Sequence, residues 1–336
     1  ASGRDPARDA VLLFSMKLPL RLVHVLVLSL SLLPATSAFA AAAPKKVLVV
    51  TVTTGFRHAS IPVSEKIIEQ MAKDSGKFTV EFVRQPDGQP KAPGRPRPGP
   101  KGEADPAHQA ALKKFAEDNK AHQAAMAAWL PKAAGVLQKL SVANLKNYDA
   151  VLFASTTGDD LPLPDKQGFI DWVASGKGFI GVHAATDTLK TFAPYVAMIG
   201  GAFRTHGPQV TVECINQDSA HAACQQLPAR WTVFDEIYQL KDFSRANVHG
   251  LVTLHKLGLT GDANPSTPGD YPIAWSRMQG KGRVFYTSLG HREDMWDPTY
   301  TQGGRKNSPE VAKQFQQHLL GGILWTLGLA PGSAKP

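Results

Sequence analysis

The sequence predicts an α/β fold, a mostly parallel sheet with helices on both faces. Three observations point there. Short continuous apolar runs rich in β-branched residues, such as Lys46–Val52, look like strands buried on both faces. They alternate with segments whose apolar residues recur at helical spacing, as Ile61, Ile67, Ile68 and Met71 do. The run Gly178–Thr188 (GFIGVHAATDT) reads as a strand passing directly into a helix through a small-x-X-x-small turn centred on His183.

The elements follow in order. Lys46–Val52 is a strand, and Thr53–His58 is the loop after it. Ser60 is placed to cap the first helix. Phe78–Val83 is a second strand. Residues 84–106 are dense in proline and glycine and read as an extended, mobile surface loop. Ala107–Leu140 has helical composition, with an expected interruption at Pro131. Tyr148–Ala154 is a strand, Pro164–Ala174 a helix, Gly178–His183 a strand and Asp187–Ile199 a helix. Strands alternating with helices imply a parallel sheet whose ligands sit at the strand carboxyl ends. That rule gathers Thr53–His58, Ser155–Leu161 and His183–Thr188 in one crevice. Gln209–Ile215, Ile237–Leu240, Val248–His255, Ile273–Arg277 and Arg283–Ser288 are strands without full helices between them, expected to extend the same sheet. Pro309–Leu327 is the last helix, ending at Gly328. The reading is a single domain over 41–330 with an insertion at 84–146.

The first forty residues stand apart. Lys17 and Arg21 follow Met16, Leu22–Leu33 is an apolar run, and Ala38-Phe39-Ala40 has small-x-small form. This is the pattern of a cleaved export signal, so the expected location is periplasmic or secreted. A retained anchor is the alternative, but the run is shorter than the roughly 20 apolar residues of a membrane span, and no stable membrane insertion is expected. Net charge is +9. Residues 1–40 hold four cations (Arg4, Arg8, Lys17, Arg21) against Asp5 and Asp9, so the remainder keeps +9 − 2 = +7. No basic stripe interleaves with aromatics, so nucleic acid is not an expected partner. Cys214 and Cys224 are the two cysteines. Export permits a disulfide between them, and two free buried thiols are the alternative.

There is no Gly-x-Gly-x-x-Gly after the first strand and no phosphate loop, so no nucleotide cofactor is expected. What remains is a set of histidines at strand ends or in glycine-flanked loops: His58, His183, His206 and His291. Glu236 opens a late strand. Imidazole titrates near neutrality and also ligates zinc and related metals. Each such histidine has a bland reading as a hydrogen-bonded loop residue; His183 departs furthest from it because it occupies a strand-end turn. Asp187 reads as a helix cap that also orients this turn. Trp275 and Trp296 suit either the core or a sugar-stacking face. His108, His122, His221, His249 and His318 read as structural or solvated.

Several runs resemble the trehalose-utilisation (ThuA-like) family. They are Thr54–Ser60, Asn147–Phe153, Gly178–Asp187, Gly200–His206, Asp235–Tyr238, Pro272–Trp275, Gly280–His291 and Leu319–Trp325, in order across about 45–329. The resemblance implies a flavodoxin-like fold similar to class I glutamine amidotransferases. There the elbow carries a catalytic cysteine; here His183 stands in its place, which argues against glutamine hydrolysis by a thiol. The resemblance also implies work on disaccharides, including 3-keto sugars, and its recurring residues match His58, His183, His206, Glu236 and His291. The resulting expectation is a lyase, hydrolase or isomerase acting on a carbohydrate; a non-catalytic sugar-binding module is the alternative. His183, Glu236, His206 and Asp187 are the expected catalytic residues. Phe56, Arg57, His58, Thr157, Trp275, His291 and Arg292 are expected to touch substrate. A divalent metal such as zinc, held by His183 and His206, is a candidate cofactor, and a homo-oligomer is left open. The insertion at 84–146 exceeds the family core and is a candidate roof over the site.

Overall fold

The computed structural model describes residues 15, 43–255 and 271–336. The expected export signal lies outside the described residues. Residues 43–336 form one unit, in which nine strands make one sheet. Its parallel part contains β1 (Lys45–Val50), β2 (Phe78–Val83), β3 (Ala150–Ala154), β4 (Gly178–Val182) and, from the other end of the chain, β11 (Gly282–Thr287). Their spatial order is β2-β1-β3-β4-β11, the flavodoxin-like order. The other half is antiparallel: β10 (Pro272–Gln279), β9 (His249–Leu254), β6 (Val210–Asn216) and β7 (Arg230–Asp235) continue the sheet outward from β11. A separate ribbon pairs β5 (Ala202–His206) with β8 (Tyr238–Lys241). The expected strand at 237–240 therefore leaves the main sheet and joins the strand carrying His206.

The sheet divides two cores because side chains alternate along its strands. Val47 and Val49 of β1 enter one core, and Leu48 and Val50 the other. On the first face pack α1 (Ile61–Ser75) and α7 (Pro309–Thr326), through Ile67, Ile68, Met71, Phe315, Leu319 and Ile323. On the second pack α2 (Pro106–Leu137), α4 (Lys166–Ala174) and α5 (Ala193–Ile199), through Trp129, Phe169, Val173, Tyr195 and Ile199. Each fully buried side chain of this size contributes about 1.5–3 kcal/mol. Among the described residues, two short helices, α3 (Val142–Leu145) and α6 (Glu293–Trp296), complete the set. Among the described residues, no helix is long and apolar enough to cross a membrane.

Other details depart from expectation. The strands β5 and β7 were not among those expected. The helix α2 runs unbroken past Pro131. The segment expected as one helix over 187–199 is a 3-10 turn at His183–Asp187, then α5, which begins beside Pro194. Ser60 does not cap α1 with its side chain; its hydroxyl donates to Gly290 O at 3.1 Å and ties α1 to the loop after β11. Cys214 and Cys224 are free and buried rather than joined. Burial pushes both thiols up, Cys224 to about 12, so neither is a ready thiolate.

Candidate functional site

The loops after β1, β3 and β4 meet where strand order reverses, as ligand sites in open α/β sheets do. Thr54 N and Gly55 N both donate to Thr157 O, and Gly158 N donates to Asp187 O. Gly158 has φ +112°, and a Cβ there would fall on Thr54 Oγ1. Only glycine permits this crossing. The β1 loop is also held from outside. Gln85 Oε1 accepts from Thr53 N at 2.7 Å, and Gln89 Nε2 donates to Thr53 O and Gly55 O. Both glutamines belong to the proline-rich insertion, which braces the His58 loop. Its helix α2 packs into the core through Trp129, whose indole N–H donates to Asp87 O.

His183 sits at the turn with φ +50°, a left-handed conformation uncommon outside glycine. Such backbone strain clusters at functional sites. The turn is secured by Tyr286, whose hydroxyl donates to His183 O at 2.8 Å. His183 is 0% exposed. Its Nδ1 lies 2.8 Å from Ser288 O, which can only accept, so Nδ1 carries the proton and Nε2 presents a lone pair. Three groups crowd that one lone pair: His58 Nε2 at 3.2 Å, His291 Nδ1 at 3.2 Å and the Tyr238 hydroxyl at 3.0 Å. Glu236 Oε2 is 3.2 Å from His291 Nδ1 and 3.8 Å from His183 Nε2. The ligand atoms of His58, His183, Glu236 and His291 all lie within 4.8 Å of one another.

Hydrogen bonding alone satisfies this cluster poorly, since one lone pair cannot accept from three directions. A cation suits it better. Metal–imidazole bonds of about 2.0–2.1 Å give tetrahedral ligand separations of about 3.4 Å, close to those present. The His183 Nδ1–H on a backbone carbonyl is the outer hydrogen bond that fixes a metal-binding tautomer. Two of the three imidazoles are held neutral, with a lone pair free for a cation. Burial pulls the His183 imidazole well below its usual value, and the neighbouring histidines add to this. Burial likewise pushes His58 down to about 3. Burial also disfavours charge on His291, but the hydrogen-bonded Glu236 carboxylate and nearby acids outweigh it and raise that imidazole. The His58 Nδ1 is buried and has no hydrogen-bond partner.

The other expected residues divide. His206 does not join the converging set and is not placed as a metal ligand. It lies on β5, its side chain 43% exposed, with Nδ1 3.1 Å from Glu236 Oε1, the oxygen turned away from His291, and 2.7 Å from Gly207 O. Phe56 is 67% exposed and packs edge-on against His58. The Thr157 hydroxyl donates to Phe56 O, so it shapes the loop. Arg57 is half-buried with one N–H on Thr51 O. Three expectations fail. Trp275 is 0% exposed and its indole N–H donates to Ile199 O, so it belongs to the core; Trp296 is buried as well. Asp187 caps no helix, because the chain turns before α5; its carboxylate pairs with Lys190 at 2.6 Å. Arg292 is committed to Asp294, Gln209 and Gly304 O and serves the framework.

Sequence reasoning missed two residues. Asp235 is fully buried and accepts from Gly290 N at 2.7 Å and from Glu236 N at 2.9 Å, joining the end of β7 to the His291 loop. Glu236 itself lies in the short link between β7 and β8 rather than opening a strand. Burial raises its carboxyl to about 6. Tyr238 reaches His183. The available signal was the run Asp-Glu-Ile-Tyr, which sets two acids and a phenol within four residues.

The model of the family described as ThuA, trehalose utilisation, matches residues 99–326. The chain belongs to this family. Two solved ThuA-like proteins share the fold. One, from Parabacteroides merdae, is 19% identical with a TM-score of 0.56, over 87% of this chain and 93% of that one. The other, from Bacteroides uniformis, is 17% identical with a TM-score of 0.55, over 89% and 98%. No curated protein matches the chain. The family model includes His183, His206, Glu236 and His291 but begins after His58 and the glutamines that brace its loop.

Proposed function

We propose that this ThuA-family protein is a carbohydrate-processing enzyme built around a divalent metal, acting on a sugar or keto-sugar. One observation carries the reading: three histidine nitrogens and a carboxylate oxygen converge within 4.8 Å, largely buried, at the edge of an α/β sheet where ligands bind. His58, His183, His291 and Glu236 would hold the cation. When bound, it supplies a Lewis acid that polarises a carbonyl or hydroxyl oxygen. The chain's own residues do the rest. Glu236 Oε1, in contact with His206, offers a carboxylate–imidazole pair for moving a proton between substrate and solvent. Phe56 offers an exposed aromatic face at the rim, suited to the apolar face of a sugar ring. A keto group acidifies its neighbouring C–H, which makes elimination, hydration or isomerisation the reaction classes that such a pair serves. Export is part of the proposal and rests on the leader pattern at residues 16–40.

The test is conversion of 3-keto-disaccharides by the purified, metal-loaded protein, with product identification. Turnover that disappears in His183→Ala and Glu236→Gln, with folding retained, supports the reading. Tight sugar binding without chemical change would make the protein a binding module instead.

A further inference from the structure

Tyr238 stands at the start of β8, opposite His206 in the two-stranded ribbon. Its ring is held between His183, 4.5 Å away, and Phe203, 4.4 Å away. Its carbonyl accepts from the Tyr271 hydroxyl at 2.6 Å, which fixes the backbone. The residue is 3% exposed. Its hydroxyl points to His183 Nε2 at 3.0 Å, the nitrogen on which His58 and His291 also converge.

The consequence follows from counting lone pairs. His183 Nδ1 holds its proton against Ser288 O, so Nε2 has a single lone pair. A cation at the centre takes that lone pair. The Tyr238 O–H then loses the acceptor it has in the structure, and a buried donor without an acceptor is costly. The centre therefore favours a ligand that brings an oxygen acceptor beside the cation, within reach of the phenol. A carbonyl or hydroxyl oxygen of a substrate meets that need, as does water.

We propose that Tyr238 is a substrate-binding, catalytic residue whose phenol donates a hydrogen bond to the substrate oxygen held against the cation. This rests on the metal centre proposed above. In the free enzyme the phenol rests on His183; on loading it turns to the incoming oxygen. Its function is to orient that oxygen and to stabilise negative charge developing on it, as preorganised donors do.

The test uses the full chain loaded with cobalt(II), with acetohydroxamate as an oxygen-donor probe, read by visible absorption. Tyr238→Phe is expected to bind the same amount of cobalt, with affinity within about threefold of the wild type. Its dissociation constant for acetohydroxamate is expected to rise tenfold or more, the loss of one hydrogen bond to a charged oxygen. Unchanged acetohydroxamate affinity in a cobalt-loaded variant overturns the role of Tyr238 and leaves the metal centre standing. A phenolate-to-iron charge-transfer band in the iron(III)-loaded wild type, absent from Tyr238→Phe, also overturns it, because Tyr238 would then be a ligand. A wild type that takes up no cobalt overturns the metal centre, and this role with it.

Discussion

Replacing Gln85 with alanine should loosen the site from a residue that touches none of its chemistry. The Gln85 carbonyl oxygen accepts from Thr53 N at 2.7 Å. Thr53 is fully buried, and without Gln85 its N–H loses that acceptor. A buried donor left unmade costs about 1–3 kcal/mol. Gln85 itself is half-buried, so water can recover part of this, which leaves about 1.5 kcal/mol. For a domain of this size the melting temperature should fall by about 2.5 °C. The same change frees the loop that carries His58, so cobalt affinity should drop by about tenfold, as for other outer supports of metal ligands. Gln85→Glu keeps the acceptor and should recover most of both losses. Thermal melts and cobalt titration of the three proteins check this. A shift below about 1 °C with unchanged cobalt affinity would refute the idea that the insertion braces the site.

Other outcomes follow from the same geometry. His318 is buried on α7 with its imidazole pushed down to about 4 from 6.5, chiefly by burial. Its folded value is depressed, so its contribution is present above pH 6.5 and is lost as pH falls towards 4. That loss is about 1.4 kcal/mol per pH unit and about 3 kcal/mol in total. His318→Asn should flatten the stability–pH curve by this amount between those values, as urea melts at stepped pH would show. Trp275→Phe should cost about 2 kcal/mol through a lost hydrogen bond and a small cavity, with no effect on metal uptake; a large loss of metal would return Trp275 to the site. Phe56→Ser should leave stability within about 0.5 kcal/mol and weaken sugar capture by about fivefold, measurable by calorimetry against the converted substrate.

The parallel half of the sheet was legible because strands buried on both faces appear as continuous apolar runs, as at 46–52 and 178–183. In the antiparallel half β6, β9 and β10 were legible as strands, but β7 was missed and the arrangement was not visible. Nothing local in Ile237–Leu240 says that it pairs with residues 202–206 rather than with the main sheet, and the pairing involves a register shift. The 187–199 segment misled because its helical spacing does not reveal that the turn at His183 closes as 3-10. At the site, His183, Glu236, His58 and His291 announced themselves by residue type and position at strand ends. Tyr238 did not, because a tyrosine opening a strand looks like core until its hydroxyl is seen to reach His183. Trp275 was drawn in because tryptophan suits a sugar-stacking face, and Arg292 follows His291 in the chain, while their side chains face the core and Asp294. The insertion's bracing of the His58 loop was not legible, because hydrogen bonds from Gln85 and Gln89 to a distant loop leave no sequence pattern.

The most direct test of the central claim is the metal content of the purified full chain, wild type against His183→Ala, by elemental analysis after loading with a divalent metal and removal of the excess. The account predicts about one equivalent bound per wild-type chain and almost none in the variant, with both proteins folded. A wild type that retains no metal, or a His183→Ala variant that retains a full equivalent, would contradict it.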